Sequence, residues 1–168
     1  MNDSTELWTY RYERNLPRME GNITVGSFGV TVPVRIVGFF PEAPDTYSVK
    51  FCQEYAFLVY NMACMLADTY RGRGVTPLLR KHLAPQCIER LEFMWQLVGC
   101  YDIHNLEDEK NAMIKMVPPM PQWIHFALVT SELMECTVNV NIGTIVFHSM
   151  LVFRRKASRW ICDLADIG

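Results

Sequence analysis

The sequence predicts an α+β fold: helices packed on one face of a curved antiparallel sheet of about four strands. Three observations lead there. Phe51 to Leu66 carries apolar residues at three- and four-residue steps, the spacing of a helix. Trp123 to Ile167 alternates apolar and polar residues with period two, the spacing of strands. The helical tract precedes the strand tract as a block, so the sheet is a meander rather than a set of parallel crossover units.

The elements follow in order. Leu7, Trp8, Tyr10 and Tyr12 form an N-terminal arm or edge strand, with Arg11, Glu13 and Arg14 facing water. Val30, Val32, Val34 and Ile36 share one face of an extended segment; Pro33 lacks a backbone donor and marks this as an edge. Pro41 and Pro44 close the segment. Asp45, Thr46 or Ser48 caps a long helix, and Gly72-Arg73-Gly74 ends it. Its stripe (Phe51, Cys52, Tyr55, Leu58, Val59, Met62, Met65, Leu66) is wide enough to be covered on more than one side. Thr76-Pro77 opens a short helix, Pro85 opens another through Val98, and Gly99 caps it. Residues 100–121 read as loop.

Strands then cover Gln122 to Thr130, Glu135 to Ile142, Ile145 to Phe153, and a last one around Trp160 to Ala165. In the third, Phe147 and Leu151 face one way and Val146, His148 and Met150 the other. Both faces are largely apolar, which predicts a central strand covered on both sides. The chain thus divides into an arm and edge strand over 1–44 and an α+β domain over 45–168.

Composition narrows the function. At 168 residues, half apolar and a fifth charged, the chain supports one domain with a real core. A net charge of −2 argues against a general nucleic-acid binder. No apolar run reaches the roughly 18 residues of a membrane span. The six cysteines form no Cys-x-x-Cys pair and no zinc spacing, so no metal or cofactor is expected. Cys52, Cys136 and Cys162 fall on faces to be buried, as free thiols in a reducing intracellular compartment, cytoplasm or mitochondrial matrix. The basic clusters Arg71/Arg73/Arg80/Lys81 and Arg154/Arg155/Lys156/Arg159 read as solvated loop ends.

The ending Phe153-Arg154-Arg155-Lys156, a short turn, and Arg159-Trp160-Ile161-Cys162-Asp163-Leu164 resembles that of the NTF2-like (cystatin-like cone) superfamily, including its Tim44-like branch. With the helix-then-meander order, the resemblance covers roughly residues 48–167. It implies a half-open cone, its sheet wrapped on a long N-terminal helix and a short helical pair.

Two functions compete. In the first, the domain is non-enzymatic, a subunit or adaptor that meets a protein partner or a second copy through an apolar sheet face. Its binding residues are Met120, Trp123, Val146, Met150 and Val152. Met113, Met116 and Met134, near loops, extend an apolar patch with Pro118 and Pro119. In the second, the cone encloses an apolar small ligand and works as a dehydratase or isomerase. Such chemistry needs an imidazole or carboxylate brought toward neutral pKa, with a tyrosine or acid to hold a developing oxyanion. The pieces are His148, His125, Tyr60 and Asp68, with Tyr55 nearby. Tyr60 and Asp68 stand about 80° apart around a continuous helix, not a tight pair. Against this, each histidine reads first as a core imidazole bonded to a backbone or hydroxyl group, and Asp68 as a helix-end or surface carboxylate. The lack of a matched acid-base pair favours the first reading.

Overall fold

The computed structural model describes residues 8–13, 16–38, 48–102 and 116–168. They form seven strands and three helices in the order β1 (Thr9–Glu13), β2 (Leu16–Val25), β3 (Val30–Gly38), α1 (Val49–Tyr70), α2 (Pro77–Arg80), α3 (Pro85–Asp102), β4 (Met120–Thr130), β5 (Leu133–Ile142), β6 (Ile145–Lys156) and β7 (Arg159–Ile167). All seven strands join one sheet in sequence order. Neighbours are antiparallel except β3 and β4, which run parallel across the helical crossover.

This corrects the predicted fold. The sheet has seven strands, not four, and is mixed, not antiparallel. Three strands precede α1, so the long helix is not N-terminal and no four-strand cone is wrapped on it. The missed element is β2. Its residues Leu16–Val25 mix charged and apolar side chains, because its outward positions Arg18 and Glu20 bind one another. The third strand carries the second correction. Pro33 marks an edge on local grounds, yet β3 is interior. The parallel ladder to β4 begins one residue later, at Val34, so the proline sits just ahead of it.

The helical starts follow from the capping residues. The Ser48 hydroxyl accepts from the Phe51 N–H at 3.2 Å, and the Thr76 hydroxyl from the Leu79 N–H at 3.2 Å. Gly72, at φ +88°, follows the last turn of α1. Gly99 does not end α3, which continues to Asp102; a glycine inside a helix weakens it without stopping it.

The helices cover one sheet face. Cys52, Ala56, Val59, Met62, Ala63 and Leu66 of α1 are buried against β4 and β5, where Ile124, Phe126, Cys136, Val138 and Val140 point back at them. The inward faces of β6 and β7, with Phe147, Leu151, Phe153, Trp160 and Cys162, complete the core. Cys52, Cys87, Cys136 and Cys162 are buried free thiols. Met134 is buried, so it adds nothing to a surface patch. Arg71, read as a solvated loop end, is 7% exposed.

Trp8 closes the core at the β1 end by lying over Gly21. A Cβ on Gly21 would meet the indole Cγ at 2.6 Å. Gly21→Ala therefore displaces Trp8 or shifts β1, at a cost of about 2–3 kcal/mol. Urea unfolding checks this, and in a Trp8→Ala background the same change costs much less, because the obstacle is gone.

Candidate functional site

Strand alternation sorts the sequence-predicted residues onto opposite sides of the sheet. Register pairing runs Arg35–His125–Thr137–Met150–Asp166 across β3 to β7. The neighbouring level holds Trp123–Asn139–His148, and the next Met120–Asn141–Val146. A fourth level holds Val37–Ala127–Glu135–Val152–Leu164. All four lie on the side of the sheet opposite the helices, though at the β7 edge the Asp166 carboxylate also reaches Arg90 of α3. Met120, Trp123, Val146, Met150 and Val152 thus share one open face. Met120 is 44%, Val146 53% and Met150 50% exposed.

This face departs from the expectation that β6 would be covered on both sides. The described helices lie on the other face. Most of the open face comes from two tracts without formal charge: from Cys136 to Phe153 there is no lysine, arginine, aspartate or glutamate, nor from Met116 to Ser131; Arg35, Glu135 and Asp166 bring charge to it from outside these tracts.

The two histidines are on the open face, and neither is a core imidazole. His125 stacks on Trp123, with ring centroids 4.3 Å apart and planes tilted by 30°. His148 approaches the same indole from the β6 side at 6.1 Å. The Asn139 amide nitrogen lies 3.3 Å from His148 Nε2 and donates to it in the tautomer protonated on Nδ1. The result is a ladder of three rings across β4 to β6.

Tyr60 and Asp68 are on α1, on the far side of the sheet. Burial, with Cys64 beside it, raises the Tyr60 pKa above its ordinary value. Burial and the charge of Asp68 push the Cys64 thiol up to about 12. Asp68 is committed to Arg71 and to Arg73, the latter at 3.4 Å. The sheet backbone separates Tyr60 and Asp68 from His125 and His148, so the four cannot act on one substrate atom. Tyr55 packs between Phe51 and Trp160, also on the helical side.

Sequence reasoning missed the residues beside His125. Thr9, Glu20, Asn22, Pro33, Arg35, Trp123 and His125 line an open depression of about 510 Å³. Glu20 accepts from Arg18 and from Arg11. The Arg18 hydrogen bond in particular holds its carboxyl below the usual range. The signal was the alternation Arg18, Glu20, Asn22, Thr24 within Leu16–Val25, visible only once that stretch is read as a strand. Among the described residues no group of three histidine, cysteine, aspartate or glutamate side chains could hold a metal ion. Among them also, no helix is long and apolar enough to cross a membrane.

No protein-family model matches this chain, and no curated protein or solved structure matches it significantly.

The surroundings of His125 predict a pH response. Desolvation first, then the charge of Arg35, depresses its pKa below the ordinary 6.5, with Glu20 opposing. A depressed folded-state pKa means that the unfolded chain binds more protons just below pH 6.5. Stability therefore falls as pH drops through that window. His82, depressed by burial and by Lys81, acts in the same sense. Thermal melts between pH 7.5 and 5 should show a smaller acid-induced drop in His125→Gln than in the parent.

Proposed function

We propose that this chain is a non-enzymatic interaction domain, a subunit or adaptor of a larger protein assembly, that docks through the uncovered face of its sheet. One observation carries the reading. Met120, Trp123, Val146, Met150 and Val152 line that face, within tracts that carry almost no formal charge. Exposed apolar side chains on adjacent strands, with few charges among them, are characteristic of an interface core, where charged residues are depleted.

The edges of the sheet favour the face over strand addition. At β7, the Cys162 N–H donates to the His82 carbonyl at 2.7 Å, and the Cys162 carbonyl accepts from the Ala84 N–H at 2.8 Å. Further along, the Asp166 carboxylate accepts from the Ile167 N–H at 3.1 Å. The opposite edge, β1, is five residues long. Blunted or short edges are poor templates for another strand.

The enzymatic alternative loses its constellation, since its histidines and its Tyr60/Asp68 pair lie on opposite sides of the sheet. Kinship with the NTF2-like superfamily is not needed for the docking reading.

The test is native size in extracts of cells that produce the protein. The parent should elute well above the 19.5 kDa of one chain. Met150→Asp, which places a charge mid-face without touching the core, should elute as a monomer with an unchanged circular dichroism spectrum. A parent that elutes as a monomer, or a Met150→Asp variant that elutes like the parent, overturns the proposal.

A further inference from the structure

The partner class can be read from how charge is distributed around the open face. This step rests on the docking reading. β5 lies at the centre of the five strands β3 to β7 and contributes Thr137, Asn139 and Asn141, short side chains able to donate and accept. On one flank, Arg35 lies on β3, directly opposite Glu20 of β2. On the other, Asp166 lies on β7, with Asp163 further along the same strand. Register places Arg35 and Asp166 on the same level, each two strands from Thr137.

That arrangement is self-complementary. Rotation by half a turn about an axis running along β5, in the plane of a face-to-face contact, lays β3 of one copy over β7 of the other. Arg35 then faces Asp166 twice, and Trp123 and His125 on β4 face His148 and Met150 on β6. An axis across the strands would instead set Arg35 against Arg35. Two-fold contacts require such a patch, one that complements itself.

The area is sufficient. Five strands at about 4.8 Å spacing, each presenting about eight residues at about 3.4 Å, give on the order of 500–650 Å² per copy. Two copies bury on the order of 1,000–1,300 Å², around the lower bound of about 1,200 Å² for standard interfaces and in the range of weaker, reversible pairs.

We propose that the open face binds a second copy of this chain, sheet on sheet, about a two-fold axis along β5. Asp166 also accepts from Arg90 of α3 at 2.9 Å and from the Ile167 N–H at 3.1 Å and keeps both bonds, offering its remaining lone pairs across the contact. Glu135, also on β5, faces its own copy near the axis. It is a repulsive element of the pairing, and it limits affinity.

The test is sedimentation equilibrium on the purified full chain, with circular dichroism as the fold control. The parent should weigh about twice 19.5 kDa. Thr137→Arg, which touches neither ion pair, sets two cations on the axis and should leave monomer. Arg35→Asp should weaken association about tenfold, and Arg35→Asp with Asp166→Arg should recover most of it, the reciprocal exchange expected of facing charges. Glu135→Gln should tighten the dimer. A parent that stays monomeric at about 100 µM, far above the micromolar constants reached by such areas, overturns the inference. So does a dimer indifferent to Thr137→Arg, which would use another surface. The docking reading fails separately. If the purified chain is monomeric but its large size in extracts depends on Met150, the face belongs to a different protein. If both preparations are monomeric, docking itself is excluded.

Discussion

Gly38→Ala should destabilise the fold by more than about 3 kcal/mol, the largest effect expected of any single methyl group here. Gly38 ends β3 at φ +136°, a conformation that side-chain-bearing residues rarely adopt. It also sits against the backbone of Leu128 on β4, where a Cβ would meet the Leu128 nitrogen at 2.8 Å and its carbonyl oxygen closer still. No rotamer relieves a clash with backbone. The chain must either open the last rung of the parallel ladder, Gly38 to Leu128, or move β4 against α1. Both routes strain the one junction that joins the N-terminal three strands to the C-terminal four. Gly29→Ala is the control. Gly29 also has positive φ, +67°, but with only Thr24 Cγ2 nearby, at 3.9 Å. It should cost only the left-handed backbone penalty of about 1–2 kcal/mol. Urea midpoints of the two variants decide the matter. Equal losses would mean that the close approach to Leu128 contributes nothing.

Asp68→Ala should cost about 2–4 kcal/mol, more than an exposed ion pair would. The reason is its partner. The Arg71 side chain is 2% exposed and Asp68 26% exposed. The Arg71 guanidinium donates to Asp68 and to the Val117 carbonyl, tying the end of α1 to the approach of β4. Removing Asp68 takes a carboxylate from a cation held out of water, and that loss dominates. Arg71→Met combined with Asp68→Ala removes both charges and keeps much of the volume, so the double variant should be more stable than Asp68→Ala alone. If it is less stable, the Arg71 bond to Val117 matters more than the charge balance. Chemical denaturation at neutral pH measures both.

These two positions also show where the sequence was readable. Gly38 carries no local signal. Nothing within a few residues says that its carbonyl neighbour will be Leu128, ninety positions away. Arg71 stands in a run of turn residues, Arg71-Gly72-Arg73-Gly74, and local chemistry makes it a solvated end. Its burial comes from Val117, which the fold brings back over the end of α1. By contrast, Ser48 and Thr76 are helix caps because the groups they bond lie three residues away. The inward faces of β5 and β6 were equally legible, and so was the start of β7; beyond it a bulge opposite Val152 and Phe153 buries Ala165 and turns Leu164 outward, the reverse of strict alternation. Cys136, Val138, Val140, Phe147, Leu151, Trp160 and Cys162 alternate strictly, and period two assigns a face without knowing the neighbours.

The candidate site divides in the same way. The set Met120, Trp123, Val146, Met150 and Val152 was readable as one side of a meander. That this side would be left uncovered was not, because the doubly apolar pattern of β6 suits a covered strand equally well. The histidines were found as residues, but their partners were misassigned. Tyr60 and Asp68 are close in the sense of a helix on a sheet, yet the sheet lies between.

What this sequence determined by itself depends on contacts a few residues apart: the start of each capped helix, the period of the clearly alternating strands, and which of their side chains share a face. Those follow from 3.6- and two-residue geometry and from hydrogen bonds within one turn. The tertiary structure alone decided how many strands join the sheet, that β3 runs parallel to β4, and which face the helices leave open. Each of these depends on pairing between segments tens of residues apart. There the choice is made by the total burial of the assembled core, a quantity that no local window contains.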